Sequence, residues 1–121
     1  VEEGKRENVI IDKSYAFALR VIKLYKFLTQ EQKEFVLAKQ LLRSGTSIGA
    51  NVEEAIAASS KADFVHKLNI AAKEARETSY WLRLLKDSQY IPENAFDSIH
   101  EDCLEIRKII SKILITMKSN S

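Results

Sequence analysis

From Phe64 to Leu85, and again from Phe96 to Met117, apolar and small residues recur at alternating steps of three and four. The first series is Phe64, Leu68, Ala71, Ala75, Thr78, Leu82 and Leu85. The second is Phe96, Ile99, Cys103, Ile106, Ile110, Ile113 and Met117. A seam of this period sustained over three heptads belongs to a long helix packed on other helices, not to a strand. At ~1.5 Å per residue such helices are ~40 Å long. The chain of 121 residues holds three Gly and one Pro. So few breakers exclude a turn-rich β-sandwich or barrel, and the length suits one domain.

The remaining punctuation places four helices, at about 12–28, 30–58, 60–87 and 92–118, with residues 1–11 as a flexible N-terminal segment. Asp12 can cap the first helix. Thr29-Gln30-Glu31-Gln32 has the form of a capping box for the second, and Ser60-Lys61-Ala62-Asp63 caps the third. Pro92 suits the first position of the fourth, where its missing N–H costs nothing. Short loops between long helices make neighbours antiparallel, so the expected fold is an all-α, up-down-up-down four-helix bundle. Lone Cys103 rules out an internal disulfide and fits a reducing cytoplasm. No run reaches ~18 apolar residues, and the first residues lack the apolar stretch of a signal peptide.

The first helix is apolar over more of its girth than a bundle needs. Phe17, Val21, Leu24 and Leu28 form one stripe, while Tyr15, Ala18, Leu19, Ile22 and Tyr25 form another. Together they span roughly 220°, against the ~100–140° that faces a core. The excess implies a second buried contact, most simply with another copy of the chain; the alternative is deep burial within a lopsided bundle.

The second helix carries a ladder of Gln40, Arg43, Ser47, Asn51 and Glu54 opposite an apolar face of Leu41, Gly45, Ile48, Val52 and Ile56. Mid-helix Ser, Asn and Gly each cost some tenths to ~1 kcal/mol against Ala, so local propensity does not account for them. Short amides and hydroxyls suit hydrogen bonding across a structural or subunit interface better than a solvated face. Gly45 and Gly49 have the spacing that permits close backbone approach, or they mark a kink.

Residues Gln40 to Glu54 resemble the signature of four-helix-bundle proteins encoded by intervening sequences in bacterial large-subunit ribosomal RNA genes, matching at Gln40, Arg43, Ser47, Ile48, Asn51 and Glu54. The likeness continues through Phe64, Leu68, Ala71 and Glu77 to the turn between Leu85 and Tyr90, and reaches the last helix by pattern alone. The sequence departs at Gly49 and Ala50, where Pro or Ser is common, and at Ala55-Ile56, where Gly is usual. The resemblance implies a pentameric ring. The family is similar to the accessory variability determinant of diversity-generating retroelements, which binds a reverse transcriptase and nucleic acid. It does not imply a structural component of the ribosome.

The formal net charge of +2 is small for a nucleic-acid binder, so distribution matters more. Lys73, Arg76, Tyr80 and Arg83 lie within an ~80° arc of the third helix, where cations can track phosphates and Tyr80 can stack on an unpaired base. Lys13, Arg20 and Lys23 form a second basic arc on the first helix. Either strip reads equally as a solvated face. In a ring, modest patches repeat and add.

The spacing of Asp63 to His66, and of Asp97 to His100, is that of a di-metal bundle motif with a shorter carboxylate. Both pairs open antiparallel helices, so they fall at opposite ends and project away from the seams. Cys103 lies on an apolar seam, where a buried free thiol is ordinary. Trp81 reads as a packing anchor. No Gly-rich phosphate loop, Cys pair or catalytic Ser-His-Asp context is present. The expectation is a non-enzymatic protein without metal or cofactor, with RNA, DNA or a protein as partner and no membrane association.

Overall fold

The computed structural model describes residues 2–119, with side chains from residue 9. Four helices follow in order: α1 (Glu2–Gln30), α2 (Val36–Ile56), α3 (Lys61–Asp87) and α4 (Glu93–Ser119). Each packs on two neighbours in a closed square: α1 on α2 and α4, and α3 on α2 and α4. The arrangement is the antiparallel up-down-up-down bundle that the short connections require.

The seams of α3 and α4 meet in the core. Leu68, Ala71, Ala75, Leu82 and Leu85 are sealed from solvent, as are Cys103, Ile106 and Ile110. Phe17, Val21 and Leu28 supply the α1 wall, and Leu41, Ile48 and Val52 that of α2. α1 begins well before the expected Asp12. Ile10 is completely buried, one step of the same seam ahead of Ser14 and Phe17, and its burial carries the bundle into the segment expected to be flexible.

The capping box at Thr29 is also corrected. The Thr29 hydroxyl donates back to the Tyr25 carbonyl at 3.0 Å, so it sits inside α1. Lys33 takes a left-handed φ of 55°, and α2 starts only at Val36. Its first turn is capped from outside by Glu34, whose carboxylate accepts from the Ala38 N–H at 2.8 Å. The third helix starts as its cap dictates, with Ser60 accepting from the Asp63 N–H at 3.1 Å. It ends in a Schellman turn: the Tyr90 N–H reaches the Leu85 carbonyl, and the Gln89 N–H that of Lys86, both at 2.9 Å. Gln89 holds the left-handed position at φ 67°. Pro92 stands just ahead of α4 and accepts from the Phe96 N–H at 3.0 Å.

The glycine pair in α2 marks close approach. A Cβ on Gly45 would lie 2.7 Å from Cγ2 and 2.8 Å from Cγ1 of Val21. On Gly49 it would lie 3.3 Å from the Ser14 carbonyl oxygen. Neither glycine has a positive φ, so their role is space rather than backbone freedom. Of the second stripe of α1, Tyr15 stays 60% and Leu19 53% exposed, while Ala18, Ile22 and Tyr25 are half-buried, Tyr25 against the core.

Candidate nucleic-acid interface

The polar ladder of α2 faces α3 for part of its length. Arg43 donates to Glu74 at 3.2 Å and pairs closely with Glu77, while Gln40 accepts from the same guanidinium at 3.5 Å. Glu77 also takes the indole N–H of Trp81 at 2.9 Å. One carboxylate thereby holds a cation from α2 and an aromatic side chain from its own helix. Ser47 and Asn51 bond back to α2, to the Arg43 carbonyl at 2.6 Å and the Ser47 carbonyl at 2.9 Å. Glu54 is exposed beyond this cluster. A neighbouring bond, missed from sequence, lies deeper: the Thr78 hydroxyl donates to the buried Ser44 hydroxyl at 3.0 Å. Within the protomer, Arg43 and Ser44 tie α2 to α3, whereas Ser47 and Asn51 bond only within α2.

The two basic strips have different fates. On α1, Lys13 pairs with Glu105 at 2.9 Å, and Arg20 with Asp102 at 2.6 Å while also reaching Ser98. These cations serve the α1–α4 contact. Lys23 lies beside an apolar cleft of about 460 Å³ lined by Phe27, Ile91 and Ile99. On α3, Lys73, Arg76, Tyr80 and Arg83 are all exposed, and none of the three cations meets a carboxylate among the described residues. Tyr80 packs edge-on to Trp81 with ring centroids 5.2 Å apart, leaving it 48% exposed.

The fold adds cations from α4 that the sequence does not group with this strip. Arg76, Arg107 and Lys108 line one groove of about 810 Å³ between α3 and α4, together with Glu101, Asp102 and Glu105. Asp102 and Glu105 are the carboxylates already held by Arg20 and Lys13. The α1 cations therefore offset acidic charge beside the α3 strip, although they do not extend it. Arg107 also reaches the Ser79 hydroxyl at 3.5 Å.

His100 stacks on Phe96 with centroids 4.7 Å apart. Burial, then the charges of Arg107, Arg83 and Lys86, holds its imidazole below the usual histidine range, with Asp97 opposing them. Cys103 is buried, 3.4 Å from both the Ser79 hydroxyl and the Ala75 carbonyl. Burial pushes its thiol up. Among the described residues no group of three His, Cys, Asp or Glu is arranged to hold a metal ion, and no helix is long and apolar enough to cross a membrane.

These features define a class: an all-α four-helix bundle with a polar α2–α3 seam and an exposed basic edge on α3. The model of the 23S rRNA-intervening sequence protein family matches residues 6–112, and the chain belongs to that family. It is similar to a crystal structure of a protein with unknown function from the S23 ribosomal protein family of Bacteroides thetaiotaomicron VPI-5482. The two are 57% identical with a TM-score of 0.89, over 90% of this chain and 97% of the other. No curated protein matches the chain.

Proposed function

We propose that this protein is a non-enzymatic, self-associating cytoplasmic bundle that binds RNA or DNA along the outer edge of α3. The observation that carries this reading is the set of Lys73, Arg76 and Arg83, exposed and without a carboxylate partner among the described residues, with Tyr80 exposed among them. Lys13 and Arg20, by contrast, are held by carboxylates of α4. A run left open beside an aromatic ring suits a phosphate backbone with a base stacked on the ring. Self-association is supported by the second stripe of α1, where Tyr15 and Leu19 remain mostly exposed. A ring would repeat the α3 edge and raise avidity without raising the charge of each copy.

The test is fluorescence anisotropy with labelled single-stranded RNA and DNA over a salt series. Log affinity should fall linearly with log salt by about 0.7 per phosphate contacted. Reversing two contacts with Arg76→Glu and Arg83→Glu should lower that slope by about 1.4. Absent or salt-independent binding would overturn the nucleic-acid reading. Light scattering after size exclusion tests the assembly: Leu19→Glu should lower the mass while leaving helix content intact, and a monomeric wild type would overturn it. The exposed α1 stripe equally suits a scaffold that binds a protein partner without nucleic acid. A purified protein free of 260 nm excess, with a specific protein partner, would favour that alternative.

A further inference from the structure

Arg20 and Lys23 share the rim of an apolar cleft that the basic edge of α3 does not touch. The cleft, about 460 Å³, opens between the last turns of α1 and the start of α4. Leu24 and Phe27 wall it on one side, and Ile91 and Ile99 on the other. Ile91 and Ile99 are buried, while Leu24 and Phe27 are half-buried and pack on the core, so the walls are firm. Further along the same contact, ion pairs of Lys13 with Glu105 and of Arg20 with Asp102 bridge α1 and α4. At the cleft Ala95 supplies only a methyl, and the space stays open. Among the described residues no carboxylate lines it. Asp102 is held by Arg20, Asp97 acts on His100 on the α3 side, and Glu93 lines an adjoining hollow with Lys86. Arg20 is fixed at the rim by Asp102 at 2.6 Å and by the Ser98 hydroxyl and carbonyl at 3.0 and 3.4 Å. Those bonds use Nη1 and Nη2 and leave its Nε–H for another acceptor. Lys23 is exposed and meets no carboxylate among the described residues. An apolar hollow between helices, with a few polar groups gathered at one edge, has the make of a small-molecule site.

We propose that this cleft binds an aliphatic carboxylate of the fatty-acid type, its chain along Leu24, Phe27, Ile91 and Ile99 and its head group at Lys23 and the Arg20 Nε–H. Charge complementarity selects the head group, because the rim is cationic and the lining has no acid to offset it. The walls select the chain. They are apolar side chains that cannot replace the hydration of a polar ligand, whereas each methylene moved onto them from water should raise affinity about fourfold. A cationic amphiphile of the same length would meet Lys23 and Arg20 with like charge, and a neutral one would gain nothing from them. The proposal gives Lys23 a role that the ion pairs of its neighbours on α1 do not. It is independent of the nucleic-acid reading, which rests on the other helix flanking α4.

The experiment is isothermal titration calorimetry of the intact protein with hexanoate, octanoate and decanoate below their micellar concentrations, and with decanol and decyltrimethylammonium as controls of equal chain. Affinity should climb about fourfold per methylene along the carboxylate series, with decanol weaker than decanoate and the ammonium compound not bound. Lys23 and Ala95 are both exposed, so Lys23→Glu and Ala95→Trp alter the rim and fill the cleft without entering the core. Lys23→Glu should weaken decanoate about tenfold and leave decanol unchanged, and Ala95→Trp should abolish the binding of both. Decanoate that does not bind, that binds no better than the ammonium compound, or that still binds Ala95→Trp would overturn the proposal. So would a loss of mass by light scattering in Ala95→Trp without decanoate binding to wild type, which would make the cleft an interface between copies. The comparison of chain lengths and head groups on the wild type decides the matter even if a variant does not fold.

Discussion

Substituting Gly45 with Ala tests the packing of α1 on α2 with opposing effects of known size. In an ordinary helix the change would stabilise the chain by about 1 kcal/mol, because glycine is the poorer helix former. Here the new methyl would meet Cγ2 of Val21 at 2.7 Å and Cγ1 at 2.8 Å. Val21 is completely buried, and a β-branched side chain in a helix has one strongly preferred χ1 rotamer, so it cannot swing aside. Overpacking of this kind costs about 1–3 kcal/mol, and the net expectation for Gly45→Ala is destabilisation by about 1 kcal/mol, or about 4 °C in Tm. Truncating Val21 to Ala removes both offending methyls. In that background the Cβ left at position 21 stands 3.2 Å from the new one and need yield only slightly, so Gly45→Ala should stabilise by up to about 1 kcal/mol, giving a coupling of about 1–2 kcal/mol between two residues in contact. Thermal and urea unfolding followed by circular dichroism, at one protein concentration, measures all four corners of the cycle. A Gly45→Ala variant that melts above wild type, or a coupling near zero, would refute close approach as the reason for glycine at this position.

Three further outcomes follow from the same structure. Gln89 holds a left-handed backbone that favours glycine, so Gln89→Gly should raise stability by about 1 kcal/mol; a fall would mean that the Gln89 side chain contributes more than its backbone costs. Cys103 is sealed in the core with its thiol pushed up by burial. Ellman's reagent at neutral pH should modify it only as fast as the bundle opens, and labelling at a free-thiol rate would contradict that burial. Because the folded state lowers the pKa of His100, the unfolded chain takes up the proton more readily. Stability should therefore be full above the usual histidine value and decline as pH falls through the folded one. Urea midpoints across that range should flatten in His100→Gln, and an unchanged pH dependence would show that His100 does not supply it.

The seams of α3 and α4 were readable because a period near 3.5 is a property of the chain itself, and only a helix can place Leu68, Ala75 and Leu82 on one line. The excess apolar arc of α1 was readable for the same reason. The helix boundaries were less so. Thr29 and Gln32 have the residue types of a capping box, but Thr29 bonds to Tyr25 inside α1 and Glu34 caps α2 instead. The pattern names residues able to cap, whereas the chain's path between helices determines which of them does. The early start of α1 was missed because charged residues dominate the first turns, and Ile10 shows its role only once it packs in the core.

What the sequence by itself determined is the bundle: periodicity, few breakers and short connections leave no other economical way to bury those stripes. The tertiary structure alone decided which polar side chains meet. Lys13, Arg20, Lys73, Arg76 and Arg83 look alike along the chain, yet the α1 pair is held by Glu105 and Asp102 while the α3 set stays open. Arg107 and Lys108 join that edge only because α4 runs antiparallel beside α3. Likewise, a glycine pair permits either a kink or close contact, and the position of Val21 selects contact. The physical reason is range. Hydrophobic periodicity acts along one helix, whereas a charge or a backbone's clearance depends on what another helix brings within a few ångströms.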